Sequence, residues 1–206
     1  MLTIWGRANS SNVQKVLWCC DELGVQYQRI DAGRSFGRTD APEYRAMNPN
    51  GLVPTVQDGD AILWESNTIL RYLATTRGGA RLYPTEPYAR SLVERWMDWQ
   101  IAHLAPPMTT LIFALYRTPP EQQDRTVIEA ARLRAEELFT MLDGVLGHHE
   151  HVAGPAFSLA DIALGIFGYR WLNIPVLRQP MPHLEAWYER LKPRAGFAAH
   201  VMQPIS

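Results

Sequence analysis

The sequence predicts an α/β domain followed by an all-helical one. Two observations carry this. The first 79 residues read strand–helix–strand–helix–strand–strand–helix, an order that suits a small mixed sheet with helices on both faces. Beyond residue 87 every apolar pattern steps by three and four, with no alternating segment. The expected organisation is therefore a sheet domain over 1–79, a proline-bearing linker over 80–87 (Pro84, Pro87), and a helical domain over 88–206.

Each element follows from local chemistry. Leu2–Trp5 is a short apolar strand, broken by Gly6 and the polar run to Asn12. Val13, Val16, Leu17, Cys20 and Leu23 recur at helical spacing, and Gly24 ends that helix. Val25–Ile30 alternates as a second strand, and the polar residues 31–38 read as loop. Thr39–Met47 reads as a short helix with Pro42 near its first turn. Thr55–Gln57 and Ala61–Leu63 are strands joined through Asp58–Gly59, a hairpin signal. A helix opens at Glu65–Ser66, turns Ile69, Leu70 and Leu73 inward, and stops at Gly78–Gly79.

In the second half, Leu92, Val93, Trp96 and Met97 begin a long helix. Pro106–Pro107 should bend it, because proline removes a donor and clashes with the preceding turn. Ile128, Ala131, Ala135, Leu138, Leu142 and Val145 mark an amphipathic helix. Ser158 caps the next one, with Asp161 in its first turn, where negative charge is favoured. Leu184, Trp187, Tyr188 and Leu191 form another helix, and a short tail helix ends near Val201.

Composition narrows the function. Hydrophobic residues make up 47% of 206, enough for a proper core, and the net charge of −1 offers no basic excess to neutralise nucleic-acid phosphates. Met1 leads straight into Leu2-Thr3-Ile4-Trp5 without the basic start and apolar core of a secretion signal. No apolar run approaches the length of a membrane span. A cytoplasmic protein is expected, and adjacent Cys19 and Cys20 read as buried small apolar residues rather than a redox pair. His148, His149 and His151 cluster before Gly154, too poor a donor set to imply a metal site; none is expected.

Three local features carry chemistry. The turn Ser10-Ser11-Asn12 precedes the first helix, so a hydroxyl there either caps the helix or donates to an anion in its dipole field. Val53-Pro54 is a candidate cis bond, which would turn the backbone of Val53 away from the sheet and toward an extended ligand. Glu65–Ser66 opens a helix whose first N–H and Ser66 hydroxyl suit a carboxylate, with Glu65 placed to pair with an ammonium beside it.

With these residues together, the sequence resembles the cytosolic glutathione transferase family along its whole length. The carriers are Ser10-Ser11-Asn12-Val13-Gln14-Lys15-Val16, Asn48-Pro49-Asn50-Gly51-Leu52-Val53-Pro54, Trp64-Glu65-Ser66-Asn67-Thr68-Ile69 and Gly154-Pro155-Ala156-Phe157-Ser158-Leu159-Ala160-Asp161-Ile162. The resemblance is nearest the bacterial serine-type members, close to the theta, phi, delta and zeta classes, since no tyrosine follows the first strand. It implies a thioredoxin-like N-terminal domain, an all-helical C-terminal domain, a homodimer, and glutathione as co-substrate with a small hydrophobic electrophile.

It further implies that Ser10 hydrogen-bonds the thiolate, with Asn12 and Ser11 as second donors. Val53, before Pro54, pairs with the cysteinyl unit, while Glu65 and Ser66 hold the γ-glutamyl end. Asp98 reaches toward the partner's glutathione, and Phe113 and Tyr116 wall the second-substrate pocket. Relatives carry a histidine at the position of Gly51 or a glutamine at that of Leu52; here Arg34, Arg38 and Asn50 are left as candidates for the glycine-end carboxylate. The reaction implied is attack of the thiolate on the electrophile. Disulfide reduction, peroxidation, isomerisation, or a non-catalytic binding role on the same fold are the alternatives.

Overall fold

Leu2 and Ile4 are buried on one face of the first strand while Thr3 and Trp5 are half-buried on the other, the two-residue period of a sheet covered on both sides. In the computed structural model, which describes residues 1–206, this strand, β1 (Leu2–Trp5), is an inner strand of a four-stranded sheet. β2 (Tyr27–Ile30), β3 (Thr55–Asp58) and β4 (Ala61–Trp64) complete it in the order β2-β1-β3-β4. β1 pairs with β2 in parallel, Leu2 opposite Tyr27, and with β3 antiparallel, Trp5 opposite Thr55; β3 pairs with β4, Thr55 opposite Trp64.

The chain divides into two compact units, Met1–Tyr83 with Ala195–Gln203, and Pro84–Arg194 with Pro204–Ser206. In the first, α1 (Ser11–Leu23) packs on α3 (Ser66–Thr76), burying Val13, Val16, Leu17 and Trp18 with Ile69, Leu70 and Leu73. The tail lies on α1 as well: Phe197 meets Trp18 edge-on at 4.9 Å, and His200 Nε2 lies 2.9 Å from Asp21 Oδ2. No local sequence pattern announces that contact.

Several boundaries moved for identifiable reasons. The second strand starts at Tyr27 rather than Val25, because the Val25 N–H bonds Cys20 O to close α1 beyond Gly24, which takes φ 66. The second helix, α2 (Pro42–Met47), starts three residues later than Thr39: Pro42 fills its first position and holds Ala41 extended at ψ 141. The loop 31–38 contains a 3₁₀ turn at Arg34–Phe36.

In the second unit, α4 (Pro87–Trp99) passes into a π turn, Gln100–Leu104, and on into α5 (Ala105–Tyr116), so the prolines sit in the first turn of α5 instead of interrupting one helix. Two N–H groups are missing there, and the wider turn just before them absorbs the mismatch. α6 (Arg125–Leu146) lies against α5 and against α8 (Pro182–Leu191). α7 (Leu159–Asn173) is buried on nearly every face, and its Trp171 stacks on Phe139 of α6 at 5.1 Å. Ser158 and Asp161 form a capping box at its start. Asp161, fully buried, also accepts from Val152 N at 3.0 Å and from Trp187 Nε1 at 2.8 Å, fastening the preceding loop and α8 to one carboxylate.

Candidate active site

Ser10 is the N-cap residue of α1 by backbone conformation (φ −81, ψ 123), yet its side chain makes no cap hydrogen bond. It is 7% exposed. The usual role of a serine at this position is therefore not exercised. Ser11, half-buried, is the first helical residue. Asn12 is exposed, and its Oδ1 accepts a hydrogen bond from the Ser66 hydroxyl at 3.2 Å. Three residues further on, the buried Lys15 ammonium donates to Asn67 Oδ1 at 3.3 Å. The starts of α1 and α3 are thus stitched together by two side-chain bonds, a link that sequence spacing does not reveal.

The Val53–Pro54 bond is cis. No backbone hydrogen bond within the chain engages Val53, whereas Leu52 before it and Thr55 two residues after it are pinned. The Leu52 carbonyl accepts from Tyr44 OH at 2.8 Å and from Asn48 Nδ2 at 3.0 Å. Thr55 Oγ1, wholly buried, lies 2.8 Å from Tyr44 OH and 3.0 Å from Asn48 Nδ2. Burial pushes the Tyr44 phenol above its ordinary pKa, the Thr55 hydrogen bond partly opposing this, so it remains a neutral donor. Tyr44, Asn48 and Thr55 are the frame that the sequence reading missed. The available signal was a tyrosine and an asparagine flanking a Pro-Asn-Gly turn, which reads at first as turn chemistry alone.

Glu65 is the N-cap residue of α3 with φ 68 and ψ 110, a left-handed conformation that side chains rarely adopt. Strain of this kind is of order 1–3 kcal/mol and persists where surrounding structure enforces it, often at functional sites. Glu65 is exposed, and its side chain does not cap the helix. Ser66 is 5% exposed. Because Thr55 stands opposite Trp64, the chain leaving Val53–Pro54 and the chain entering Glu65–Ser66 meet the sheet at the same end of the β3–β4 hairpin. One small region therefore holds an unpaired backbone segment, the start of a helix, and a carboxylate.

The other expected residues sit less centrally. Asn50 donates its own N–H and its amide to Asn48 Oδ1, at 3.1 and 3.2 Å, so it belongs to the turn. Arg38, exposed with φ 71, borders a cavity of about 200 Å³ with Trp5, Ala41, Glu43, Tyr44 and Met47. Asp98 is exposed on α4. Phe113, 47% exposed on α5, borders a cavity of about 370 Å³ with Thr109, Thr110, Gln122 and Val127, while Tyr116 lies outside that lining.

The protein's own thiols are poor nucleophiles. Cys19 and Cys20 are both buried and free. Burial, with the Asp21 carboxylate adding to it and Arg77 opposing, pushes the Cys20 thiol up to about 12, and burial raises Cys19 well above its ordinary value. His151 lies 3.4 Å from Asp161 and edge-on to Phe157, packed into the loop before α7. No group of three or more His, Cys, Asp or Glu side chains is placed to hold a metal ion.

The sheet and helices of the first unit, with a cis proline ahead of β3, define a thioredoxin-like domain, followed in the chain by a helical one. Family models agree: residues 1–75 match the glutathione S-transferase N-terminal domain and residues 104–194 the C-terminal domain. The chain is 42% identical to glutathione S-transferase GstB of Escherichia coli over the full length of both. It is 28% identical to glutathione S-transferase 3 of Zea mays, covering 95% of this chain and 91% of that one. Among solved structures, a theta class glutathione S-transferase from Xanthomonas axonopodis pv. citri, with glutathione bound, superposes with a TM-score of 0.96 at 46% identity, covering 100% and 99% of the two chains. The chain belongs to the glutathione S-transferase family.

Proposed function

We propose that this protein is a serine-type glutathione transferase that binds glutathione, holds its sulfur as the thiolate, and delivers it to a small apolar electrophile. The observation that carries the reading is Ser10: a 7%-exposed hydroxyl at the start of α1, in cap position but not capping. It is available to donate to a sulfur, and the positive end of α1 favours the anion. Lowering a thiol pKa by about two units turns a few per cent of thiolate at neutral pH into a majority. The thiol must come from the bound tripeptide, since burial keeps Cys19 and Cys20 protonated.

Val53, unpaired itself between the pinned Leu52 and Thr55, offers its N–H and C=O to the cysteinyl unit, with Pro54 setting the bend. The γ-glutamyl carboxylate sits on Ser66 at the start of α3, and Glu65 takes the adjacent ammonium. Ser11 and the Asn12 amide are the second donors near the sulfur. The glycine-end carboxylate falls to the stretch that includes Arg38 and Asn50. The sheet unit carries the tripeptide, and the helical unit supplies the electrophile wall at Phe113 and Tyr116 together with homodimer contacts, where Asp98 faces the partner's site. No helix is long and apolar enough to cross a membrane, and the cytoplasm, rich in reduced glutathione, is the compartment that suits this chemistry. The test is retention on immobilised glutathione together with turnover of a general aryl halide. Failure to bind glutathione or its disulfide at millimolar concentration would sink the reading.

A further inference from the structure

α1 is buried from Val13 to Cys20, and two polar side chains share that burial, Gln14 and Lys15. Their surroundings differ. Lys15 has an acceptor in Asn67 Oδ1, at 3.3 Å. Gln14 is 5% exposed, yet its amide makes no hydrogen bond to any group in the chain. The amide is not among the sealed polar atoms that lack a partner, so the small accessible part of Gln14 includes its polar end. Burying an amide without a partner is unfavourable, and the great majority of such groups in folded proteins are satisfied. The fold fixes where this one lies. Gln14 stands one turn after Ser10, its N–H donating to Ser10 O at 2.8 Å. Side chains on a helix lean toward the N-terminus, so that each covers the turn before its own Cα. The Gln14 amide therefore lies over the turn of Ser10 and Ser11. Ser10 is itself 7% exposed and makes no cap bond, so two nearly buried polar side chains on one turn are both unused by the fold.

We infer that Gln14 is a further catalytic residue, whose amide N–H donates to the sulfur of bound glutathione beside Ser10. The inference rests on the proposed placing of that sulfur at Ser10. The positive end of α1 favours an anion there. Ser10 brings one O–H, and the Gln14 amide brings two N–H groups without adding a charge of its own. A donor on a nearly dry surface acts more strongly than one in water. Asn12, by contrast, is exposed, and its side chain is tied to the Ser66 hydroxyl. Leaving the Gln14 amide unbonded costs the fold, and the ligand sulfur removes that cost when it binds.

The test follows the ultraviolet absorbance of enzyme-bound thiolate over pH, with thermal melting alongside, for the wild type, Gln14→Leu and Gln14→Glu. Gln14→Leu keeps a similar volume and removes both polar atoms. No bond within the chain is lost, so its melting temperature should equal or exceed that of the wild type. The pKa of bound glutathione should rise by about one unit, a roughly tenfold loss of thiolate at a pH below both values. kcat at neutral pH should fall in step and recover in alkali, with KM for glutathione held within about twofold. Gln14→Glu, nearly isosteric, sets a carboxylate beside the sulfur and should raise that pKa further. A less stable Gln14→Leu protein with an unmoved thiol pKa would make Gln14 a packing residue and overturn the inference, as would a pKa that neither substitution moves. If the wild type shows no thiolate absorbance with saturating glutathione, the glutathione reading itself fails, and this inference with it.

Discussion

Replacing Ser10 by alanine separates two roles that share one position. A serine that caps a helix contributes about 1 kcal/mol, with a range of 0.5–2. Here the side chain makes no cap bond, so Ser10→Ala forfeits no cap hydrogen bond and should cost less than the about 1 kcal/mol that a cap is worth. Its effect should fall on the sulfur instead. A hydrogen bond to a charged group is worth about 1.5–3 kcal/mol, and each pKa unit corresponds to about 1.4 kcal/mol. Loss of the Ser10 donor should therefore raise the pKa of enzyme-bound glutathione by about one to two units, with the dipole of α1 and the remaining donors left in place. The assay is the ultraviolet absorbance of the thiolate, titrated over pH with glutathione saturating, beside a thermal melt of the same variant. The pH profile of kcat should move alkaline by the same amount. A lowered melting temperature with an unmoved thiol pKa would show that Ser10 is a cap after all, and would pass the sulfur contact to Asn12 or Ser11.

Three further outcomes follow from the same geometry. Ser66→Ala removes the hydroxyl that donates to Asn12 and stands at the start of α3; KM for glutathione should rise roughly tenfold with kcat nearly unchanged, as expected for loss of binding common to ground and transition states, and an equal fall in kcat would place Ser66 in the chemistry. The buried thiols give an alkaline limit. Cys19 and Cys20 have raised pKa values when folded, Cys20 about 12, against about 8.5 in an unfolded chain, so their contribution is complete below about pH 8.5 and is lost as pH rises toward the folded values, by up to about 1.4 kcal/mol per pH unit per thiol. Denaturant midpoints measured from pH 8 to 11 should fall, and should fall less in the double alanine variant. Asp161→Ala leaves the buried donors of Val152, Ser158 and Trp187 without an acceptor; at about 1–3 kcal/mol for each unsatisfied group, urea unfolding followed by tryptophan fluorescence should lose at least about 3 kcal/mol, and a midpoint equal to the wild type would refute the role assigned to this carboxylate.

How much of this was legible in the chain depends on how local each feature is. Strands, helices and the α7 cap are written in short patterns: the hairpin at Asp58–Gly59, the three-and-four spacing of α6, the Ser158–Asp161 pair. The candidate site residues on turns and helix starts rest on local patterns too, since Ser10, Val53–Pro54 and Glu65–Ser66 each have a short signature. The missing parts are contacts between segments far apart in sequence. Nothing near Asn12 points to Ser66, 54 positions away. Nothing in the apolar face of α1 says that Lys15 is buried and faces Asn67. The prolines of α5 were seen but misjudged: the sequence marks lost donors, whereas the π turn that accommodates them is a property of the neighbouring backbone.

The two long-range bonds between α1 and α3 bear on how the proposed site would hold a single anionic ligand. A helix start favours an anion by only about 0.3–1 kcal/mol when exposed, and the effect fades within one turn. Two such ends reinforce each other only if both are held close to the same ligand. The Asn12–Ser66 and Lys15–Asn67 bonds tie the N-terminal part of α1 to the first turn of α3, at 3.2 and 3.3 Å. Burying an ammonium is expensive unless it is hydrogen-bonded, so the Asn67 acceptor is part of what makes a 1%-exposed Lys15 tolerable. In the proposed reading the ligand is gripped mainly by backbone, at Val53 and at the start of α3, with side chains setting the spacing. A grip of that kind depends on the backbone frame in which Tyr44 and Asn48 hold the Leu52 carbonyl and the Thr55 hydroxyl.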